Sequence, residues 1–361
     1  MLNLIDRALK SPLARALTFP HRPESYLEFL APDVGGQAVK ATIRAVHRQT
    51  DRAVSLVLEP NHRWAGHVPG QYVTLTAAVN GRRMSRCFTV SHVEDGCPVL
   101  TIQTHDGGVV SAWANRKAWV GDTVEISQAA GDFVLPAGRS EPLLLIAGGS
   151  GITPVRALVD QLVAEGHAGQ VDILYYVPSL PEAIFLTHLK DVAEAHPNFR
   201  LTLVTTRSKE AGALSGHFGP AHLTAVGADI TAARAFVCGP AALINAVEAH
   251  WADAGQHARL TMERFQAVAR PVVVDGAGQA VRFEGSALTA TAPAGRTLLE
   301  TAEAAGLAPM SGCRQGICRT CTCRKTSGQV RDIRTGELSG DGAEDIAICV
   351  TVPVTAVTLE I

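Results

Sequence analysis

The sequence lacks any strong excess of charge of one sign. Among its 361 residues, 32 lysine and arginine side chains oppose 34 aspartates and glutamates, and the formal net charge is -2. Partners such as nucleic acids and anionic membranes select strongly basic proteins. Bulk charge therefore predicts no nucleic-acid partner.

Long apolar runs are also missing, although 47% of the residues are hydrophobic. A membrane-spanning helix needs roughly 18 or more consecutive apolar residues, and no such run occurs. Residues 1–20 place Asp6, Arg7 and Lys10 among leucines, a pattern unlike a signal peptide. We expect a cytoplasmic monomer that does not itself cross a membrane.

Histidines show no paired spacing that would predict a second metal site, whereas the cysteines are spaced informatively. Cys313, Cys318 and Cys321 follow the pattern C-x4-C-x2-C, and Cys349 stands alone in an apolar segment. This is the plant-type spacing for a [2Fe-2S] cluster held by four thiolates. Cysteines of a reducing compartment bind metal more often than they pair. The sequence therefore predicts a cluster with these four ligands.

Two alternatives remain for these cysteines. Four of them could form a zinc site or a disulfide pair, but zinc ligands usually come as two close pairs, whereas one loop here carries three. Cys323 could replace Cys321 as the third ligand. We favour a passive core position for Cys323, because only Cys321 keeps the two-residue interval.

The length predicts two or three domains. Residues 1–36 carry apolar side chains at helical spacing, which predicts an amphipathic helix that packs on the parent domain or meets a membrane-bound partner. Six β patterns in residues 37–138 predict an antiparallel barrel; they lie at 41–46, 54–58, 72–76, 87–91, 99–103 and 123–126.

Strands alternate with helices in residues 139–266, which predicts a parallel sheet covered on both faces. Those strands are expected at 143–147, 171–177, 201–205 and 235–238, with a helix around 181–194. Residues 271–361 form a small third unit, with strands at 272–275, 288–292 and 356–361 and a helix at 298–305.

Two motifs in the barrel region suit a flavin. Arg86-Cys87-Phe88-Thr89 combines a guanidinium for phosphate, a ring for stacking and a hydroxyl for the flavin edge. Gly107-Gly108-Val109-Val110-Ser111 offers backbone amides at a helix start to a pyrophosphate. Each motif alone is also compatible with ordinary strand packing.

Two turns in the next unit suit a dinucleotide. Gly148-Gly149-Ser150-Gly151-Ile152-Thr153-Pro154 joins a strand to a helix whose N-terminus favours phosphate. Cys238-Gly239-Pro240 follows a later strand, at the end where open α/β sheets bind ligands. The alternative for the first turn is a purely structural role.

Together these motifs resemble those of the ferredoxin-NADP reductase superfamily, and the C-terminal region resembles a fused plant-type ferredoxin of α+β, β-grasp fold. The resemblance covers about residues 37–361. It implies that Arg86, Cys87, Phe88 and Thr89 hold the flavin, that Gly108, Val109, Val110 and Ser111 bind its pyrophosphate, and that Gly149, Ser150, Gly151, Thr153, Cys238, Gly239 and Pro240 bind the nicotinamide nucleotide. It further implies that Thr89, Cys238, Glu263 and Phe265 lie at the reacting centre.

The pyrophosphate motif favours FAD over FMN. Arg207 follows a strand where NADP-selective relatives place an arginine on the 2'-phosphate, so NADPH is expected, with NADH and a merely solvated Arg207 as the alternatives. The upstream stretch Tyr26 to Leu30 resembles reductase partners of acyl-CoA desaturases and hydroxylases.

A flavin converts the two-electron hydride into the single electrons that a cluster accepts. The sequence therefore predicts an NAD(P)H-dependent reductase that passes electrons through FAD and a [2Fe-2S] cluster to a separate oxygenase, desaturase or hydroxylase, either free in solution or bound to a membrane. The runner-up is an NADH-dependent reductase for a Rieske aromatic dioxygenase or a hybrid-cluster protein. A redox-sensing module is the alternative from another class, and the intact glycine turns argue against it.

Overall fold

The computed structural model describes residues 39–79, 81–139, 141–265, 278–307, 309–311, 316 and 321–361. The predicted N-terminal helix, the predicted strand at 272–275, and both Cys313 and Cys318 lie outside these residues. No helix within the described residues has the length and apolar character needed to cross a membrane.

The first unit is a closed barrel in which every neighbouring pair of strands is antiparallel, in the order β1-β2-β5-β4-β3-β6. Its strands are β1 (Val39–Thr50), β2 (Ala53–Pro60), β3 (Tyr72–Val79), β4 (Arg82–Glu94), β5 (Cys97–Gln103) and β6 (Thr123–Ile126), and helix α1 (Val109–Arg116) lies between β5 and β6. Burial alternates along β3, because only one face of each strand meets the barrel interior.

The second unit is a six-stranded parallel sheet in the order β10-β9-β8-β7-β11-β12. Its strands are β7 (Leu143–Gly148), β8 (Val171–Val177), β9 (Phe199–Thr205), β10 (Leu214–Ser215), β11 (Arg234–Cys238) and β12 (Leu260–Glu263). The helices are α2 (Ile152–Ala164), α3 (Leu186–Ala195), α4 (Pro220–Val226) and α5 (Ala241–Asp253). Every residue of β7 and β8 is buried, as expected for central strands covered on both faces.

The barrel and the parallel sheet share one apolar core. Phe133, which follows the barrel, packs edge-on against Phe236 of β11 with ring centroids 5.5 Å apart. Ala53 of β2 and Leu135 belong to the same buried cluster as the residues on one face of the sheet. The two units are therefore held in a fixed relation by apolar burial.

The third unit contains a five-stranded mixed sheet in the order β14-β13-β19-β15-β17 and a separate β16-β18 pair. Its elements are β13 (Gln279–Phe283), β14 (Leu288–Ala292), helix α6 (Leu298–Ala304), β15 (Thr322–Ser327), β16 (Val330–Asp332), β17 (Glu344–Ala347), β18 (Thr351–Pro353) and β19 (Val357–Leu359). Thr297 and Glu300 form a capping box that fixes the start of α6.

The predicted fold class is confirmed: an antiparallel barrel, a parallel-sheet unit and an α+β C-terminal unit follow one another. Individual predictions differ in detail. The helix expected around 181–194 is divided, with a short 3-10 turn at Leu180–Glu182 before α3. The strands β13, β15, β16 and β18 were not predicted, because strands of three to six residues carry little periodicity.

Candidate functional site

A cleft on the outside of the barrel brings together the residues predicted to hold the flavin. Strand β4 contributes four consecutive residues and the start of α1 contributes four more. The cleft is lined by Arg86, Cys87, Phe88, Thr89, Gly108, Val109, Val110 and Ser111, together with Ser150, Thr153 and Phe265 from the second unit. One site is thus built from both units.

The Thr89 side chain indicates that this cleft binds a polar ligand. This side chain is buried, and its Oγ1 has no hydrogen-bond partner within the described residues. An unpaired buried hydroxyl is costly unless a ligand or water satisfies it. The residues present therefore fit a flavin edge that exchanges hydrogen bonds with this oxygen.

The start of α1 presents its amides to the same cleft. Gly108 is the N-cap, and no side chain caps the helix; Ser111 Oγ instead donates to the Gly108 carbonyl at 3.2 Å. A Cβ atom at Gly108 would overlap Ser111 Oγ, so the turn closes this tightly only with glycine. Uncapped first-turn amides suit the negative charge of a pyrophosphate.

The register of the parallel sheet places three strand ends side by side. Ala147 of β7 pairs with Cys238 of β11, and Cys238 in turn pairs with Glu263 of β12. The glycine turn after β7, the turn after β11 and the end of β12 therefore meet at one edge, which is the edge where parallel sheets bind ligands.

Gly151 has a packing role that its sequence context did not reveal. A Cβ atom at this position would overlap the carbonyl oxygen of Cys238 and lie 2.7 Å from the Gly239 nitrogen. The missing side chain thus allows the two turns to pack against each other. Gly151 itself lines neither cleft.

Cys238 is fully buried, and Glu263 is partly buried beside it. Burial, followed by the nearby Glu263 carboxylate, raises the pKa of the Cys238 thiol well above its usual value. Burial raises the pKa of Glu263 to about 8, and its buried Oε2 has no hydrogen-bond partner in the described part of the chain. At neutral pH both groups are therefore uncharged.

A second cleft adjoins the first and contains three of the residues predicted for the nucleotide, whereas Ser150 and Thr153, which were also predicted for it, line the first cleft. The second cleft is lined by Gly149, Pro240 and Arg207, together with Gly148, Arg52, Tyr176, Glu182 and His217. Gln103 and His105 line both clefts. Gly239 packs against Gly148 and lines neither cleft, while Cys238 lies fully buried behind the turn.

Glu182 changes the expectation for Arg207. The sequence places no acidic residue next to Arg207, yet the structure brings Glu182 into the same cleft, with Ser179 Oγ donating to its Oε1 at 3.1 Å. A carboxylate in the same cleft as the arginine lowers the attraction of that cleft for a 2'-phosphate. The two residues follow different strands, so only the fold brings them to one cleft.

The C-terminal unit positions two of the four predicted cluster ligands. Cys321 and Cys349 are both buried in its core. They are neighbours, because the Ile348 amide donates to the Cys321 carbonyl at 3.3 Å. The Gly316 amide donates to Cys349 Sγ at 3.3 Å, as fits a sulfur that carries negative charge.

Cys323 lies on β15 with its sulfur 3.5 Å from the Arg324 carbonyl oxygen and 3.8 Å from that of Glu360. Burial is the main cause that raises its pKa to about 11. The contacts of its sulfur with two backbone carbonyls favour the passive role.

Several lining residues were missed by the sequence reasoning. Thr101, Gln103 and His105 of the first cleft lie at or just after the end of β5. Their position directly before Gly107 and Gly108 was a usable signal. Arg52 and His217 carry no comparable signal, because only the fold brings them to the second cleft.

Comparison with known families agrees with this architecture. Residues 145–249 match the family described as the oxidoreductase NAD-binding domain, and residues 281–354 match the 2Fe-2S iron-sulfur cluster binding domain. These two matches cover most of the sheet unit and most of the C-terminal unit.

Whole-chain relatives extend the match to the barrel. An NADPH oxidoreductase of Mycobacterium tuberculosis is 30% identical over 348 residues, which cover 94% of this chain and 88% of that protein. One component of the 1,2-phenylacetyl-CoA epoxidase of Escherichia coli is 28% identical over 338 residues, covering 87% and 95%. The solved structure of phthalate dioxygenase reductase shares the fold, with a TM-score of 0.60 at 22% identity over 90% of this chain and 98% of that one.

Barrel, nucleotide-binding sheet and C-terminal iron-sulfur unit together define a reductase of the ferredoxin type. The chain belongs to the ferredoxin-NADP reductase superfamily, in the branch that carries a C-terminal 2Fe-2S ferredoxin domain, and it is an oxidoreductase.

Proposed function

We propose that this protein takes a hydride from NADPH into FAD and passes single electrons through a [2Fe-2S] cluster to a separate oxygenase, desaturase or hydroxylase. The flavin, when bound, supplies the conversion between two-electron and one-electron transfer. Plant-type clusters have potentials near -400 mV, low enough to reduce an oxygen-activating metal centre.

The observation that carries this proposal is the continuity of the two clefts. Gln103 and His105 line both of them, and the turn after β7 contributes Gly149 to one and Ser150 to the other. A nicotinamide held in the second cleft would therefore end next to a flavin held in the first. Such adjacency is what direct hydride transfer needs.

The residues of the chain have separate tasks in this proposal. Thr89 offers a buried hydroxyl to the flavin edge, and Arg86 and the start of α1 offer positive charge and amides to its phosphates. Thr153, whose Oγ1 donates to the Ser150 carbonyl at 2.9 Å, holds the turn that separates the two ligands. Phe265 packs on the core of the sheet unit and closes one side of the first cleft.

The test is anaerobic stopped-flow absorbance of the purified holoprotein mixed with NADPH and, separately, with NADH. We expect rapid loss of the flavin bands with NADPH, followed by bleaching of the cluster bands. Protein that contains neither flavin nor iron would contradict the proposal. Protein whose bound flavin is reduced by neither nucleotide would favour a redox-sensing module instead.

Nucleotide choice follows from the opposing charges of Arg207 and Glu182. Replacing Arg207 with alanine should raise the KM for NADPH about tenfold or more and leave the KM for NADH nearly unchanged, because a charge-assisted contact contributes ~1.5–3 kcal/mol. The matched variant E182Q should lower the KM for NADPH. Equal effects of R207A on both nucleotides would contradict a 2'-phosphate role.

A second candidate is an NADH-dependent reductase for a Rieske aromatic dioxygenase or a hybrid-cluster protein. Glu182 favours it, because a carboxylate in the nucleotide cleft suits a ribose hydroxyl better than a phosphate. Preferential flavin reduction by NADH in the same experiment would establish this candidate.

The acceptor is proposed from the relatives. The 1,2-phenylacetyl-CoA epoxidase component belongs, by its name, to a system that oxidises a CoA thioester, which agrees with an acyl-CoA desaturase or hydroxylase partner here. We propose that the reductase is a monomer and that this partner is a separate chain, either free in solution or bound to a membrane. The test is electron transfer from the reductase to purified candidate partners, measured as the rate of NADPH consumption.

A further inference from the structure

An ion pair stands beside the cluster ligand Cys349 and has no part in the electron path proposed above. Asp332 ends β16, and Arg334 follows two residues later. The Arg334 backbone amide donates to Asp332 Oδ1 at 2.7 Å, Nε donates to the same oxygen at 3.2 Å, and Nη2 donates to Oδ2 at 2.8 Å. Three bonds to one carboxylate fix both the position and the plane of the guanidinium.

The fixed guanidinium of Arg334 contacts Gly316, which lies between the predicted ligands Cys313 and Cys318 in the sequence. Arg334 Nη1 donates to the Gly316 carbonyl at 3.3 Å. Gly316 has a φ of 71°, and a Cβ atom there would lie 2.8 Å from Arg334 Nε and 2.7 Å from Val350 Cγ2. Only glycine combines this backbone angle with so close an approach.

Gly316 passes this constraint on to the sulfur. Its amide donates to Cys349 Sγ at 3.3 Å, so Arg334 binds the carbonyl of the same residue whose amide donates to a predicted cluster ligand. The segment from Asp332 to Arg334 is also hydrogen-bonded to the residues that follow Cys349. The Ile333 amide donates to the Val350 carbonyl at 2.8 Å, and Asp332 pairs with Thr351 across β16 and β18.

Charge and hydrogen bonding at the sulfur are two factors that set a cluster's reduction potential. Reduction adds one negative charge, which a nearby cation favours and a nearby carboxylate opposes. Arg334 and Asp332 carry opposite charges at almost the same place, so the two effects largely offset each other. Loss of either partner should leave the other uncompensated.

We propose that Arg334 is a positioning residue for the iron-sulfur centre: paired with Asp332, it holds the Gly316 amide on Cys349 Sγ and, with that carboxylate, sets the reduction potential of the cluster. The inference rests on the proposed function only in requiring a cluster on Cys349. It predicts shifts of opposite sign for the two members of the pair.

The experiment is a spectroelectrochemical titration of the cluster in the full-length holoprotein, at one pH and one salt concentration. R334Q should shift the midpoint potential to more negative values, because the Asp332 carboxylate remains and the Gly316 amide is held less firmly. D332N should shift it to more positive values. R334K should change it less than R334Q, because the charge is kept.

Arg331 gives a matched control. It lies on β16 next to Asp332, but its Nη1 donates to the Gly336 carbonyl at 3.1 Å instead of to Gly316. R331Q removes the same charge and should leave both the potential and the electron paramagnetic resonance g-values of the reduced cluster close to those of wild type.

The outcomes separate the two proposals. Wild-type protein without iron and acid-labile sulfide would contradict the proposed function itself. Wild type with an intact cluster, combined with unchanged potentials in R334Q and D332N, would overturn the present inference alone. Shifts of the same sign in R334Q and D332N, or a shift in R331Q as large as in R334Q, would also overturn it. If R334Q retains no iron, D332N and R334K decide the matter.

Discussion

Lys325 offers a sharp test of what holds the C-terminal unit together. Its side chain is fully buried, and its ammonium donates to the carbonyl oxygens of Gly328, Gly340 and Gly342 at 2.7, 2.8 and 2.7 Å. It also lies 3.1 Å from Glu344 Oε1, an oxygen that accepts no hydrogen bond from the described residues. One ammonium thus ties together three points of the chain between β15 and β17.

We expect K325M to destabilise this unit by about 3–5 kcal/mol. Hydrogen bonds to a charged group contribute ~1.5–3 kcal/mol each. Three such bonds would give a larger total, but Gly340 and Gly342 are exposed, and water can satisfy their carbonyls in the variant. For a unit of this size the loss corresponds to a fall of roughly 12–40 °C in the melting temperature.

The assay is the temperature at which the visible circular dichroism of the cluster disappears in the full-length protein. The comparison variant is E344Q, which removes the ion pair and leaves the three carbonyl bonds. Because the Glu344 side chain is 42% exposed, its pair with Lys325 should contribute less than about 1 kcal/mol. An E344Q loss as large as that of K325M, or a K325M midpoint within a few degrees of wild type, would refute this reasoning.

Two further predictions concern the site edge of the sheet. With the flavin removed, stability should fall as pH rises from about 4.5 to about 8, because the Glu263 carboxyl ionises at about 4.5 when unfolded and only near 8 when folded. The difference between the two pKa values sets an upper limit of about 5 kcal/mol on this loss of stability, and we expect about 2–3 kcal/mol because part of Glu263 meets solvent. Chemical unfolding at several pH values measures it, and the change in unfolding free energy with pH should be smaller in E263Q by this amount. An identical pH dependence in E263Q would contradict the prediction. G151A should lower the free energy of unfolding by about 1–3 kcal/mol and slow flavin reduction, because the new methyl group overlaps the Cys238 carbonyl. The control G219A, with open space around its Cβ position, should change neither quantity. Equal melting temperatures for both variants would exclude the packing role of Gly151.

Sequence patterns located the elements that have a strong period or a distinctive composition. The buried strands β7 and β8 are apolar and match their predicted ranges to within one residue, and each predicted barrel range lies within one of the observed strands β1 to β6. The short strands β15 to β18 carry too few residues for a period to appear. Their pairing is set by long-range contacts, such as Asp332 with Thr351, that no local pattern encodes.

Local motifs likewise predicted residues that line the first cleft, but not the balance of charge in the second cleft. Arg86 to Thr89 and Gly108 to Ser111 are contiguous stretches, and each lines the first cleft as a unit. Glu182 and Arg207 follow β8 and β9, which are neighbours in the sheet. Since parallel strands end at the same edge, such pairs can be found only once the strand order is known.

The strand order also separates charged from uncharged chemistry. Arg52, Glu182 and Arg207 all line the second cleft, and the two arginines carry the positive charge that a phosphate group needs for binding. At the edge formed by β11 and β12, the Cys238 thiol and the Glu263 carboxyl are both neutral at pH 7, because burial opposes their ionisation. A neutral centre does not add electrostatic attraction for the positive charge that a nicotinamide ring acquires on losing hydride. Under the proposed function, nucleotide binding and hydride transfer therefore rely on different residues, and we expect a change of charge at Arg207 to alter nucleotide choice without altering the edge formed by β11 and β12.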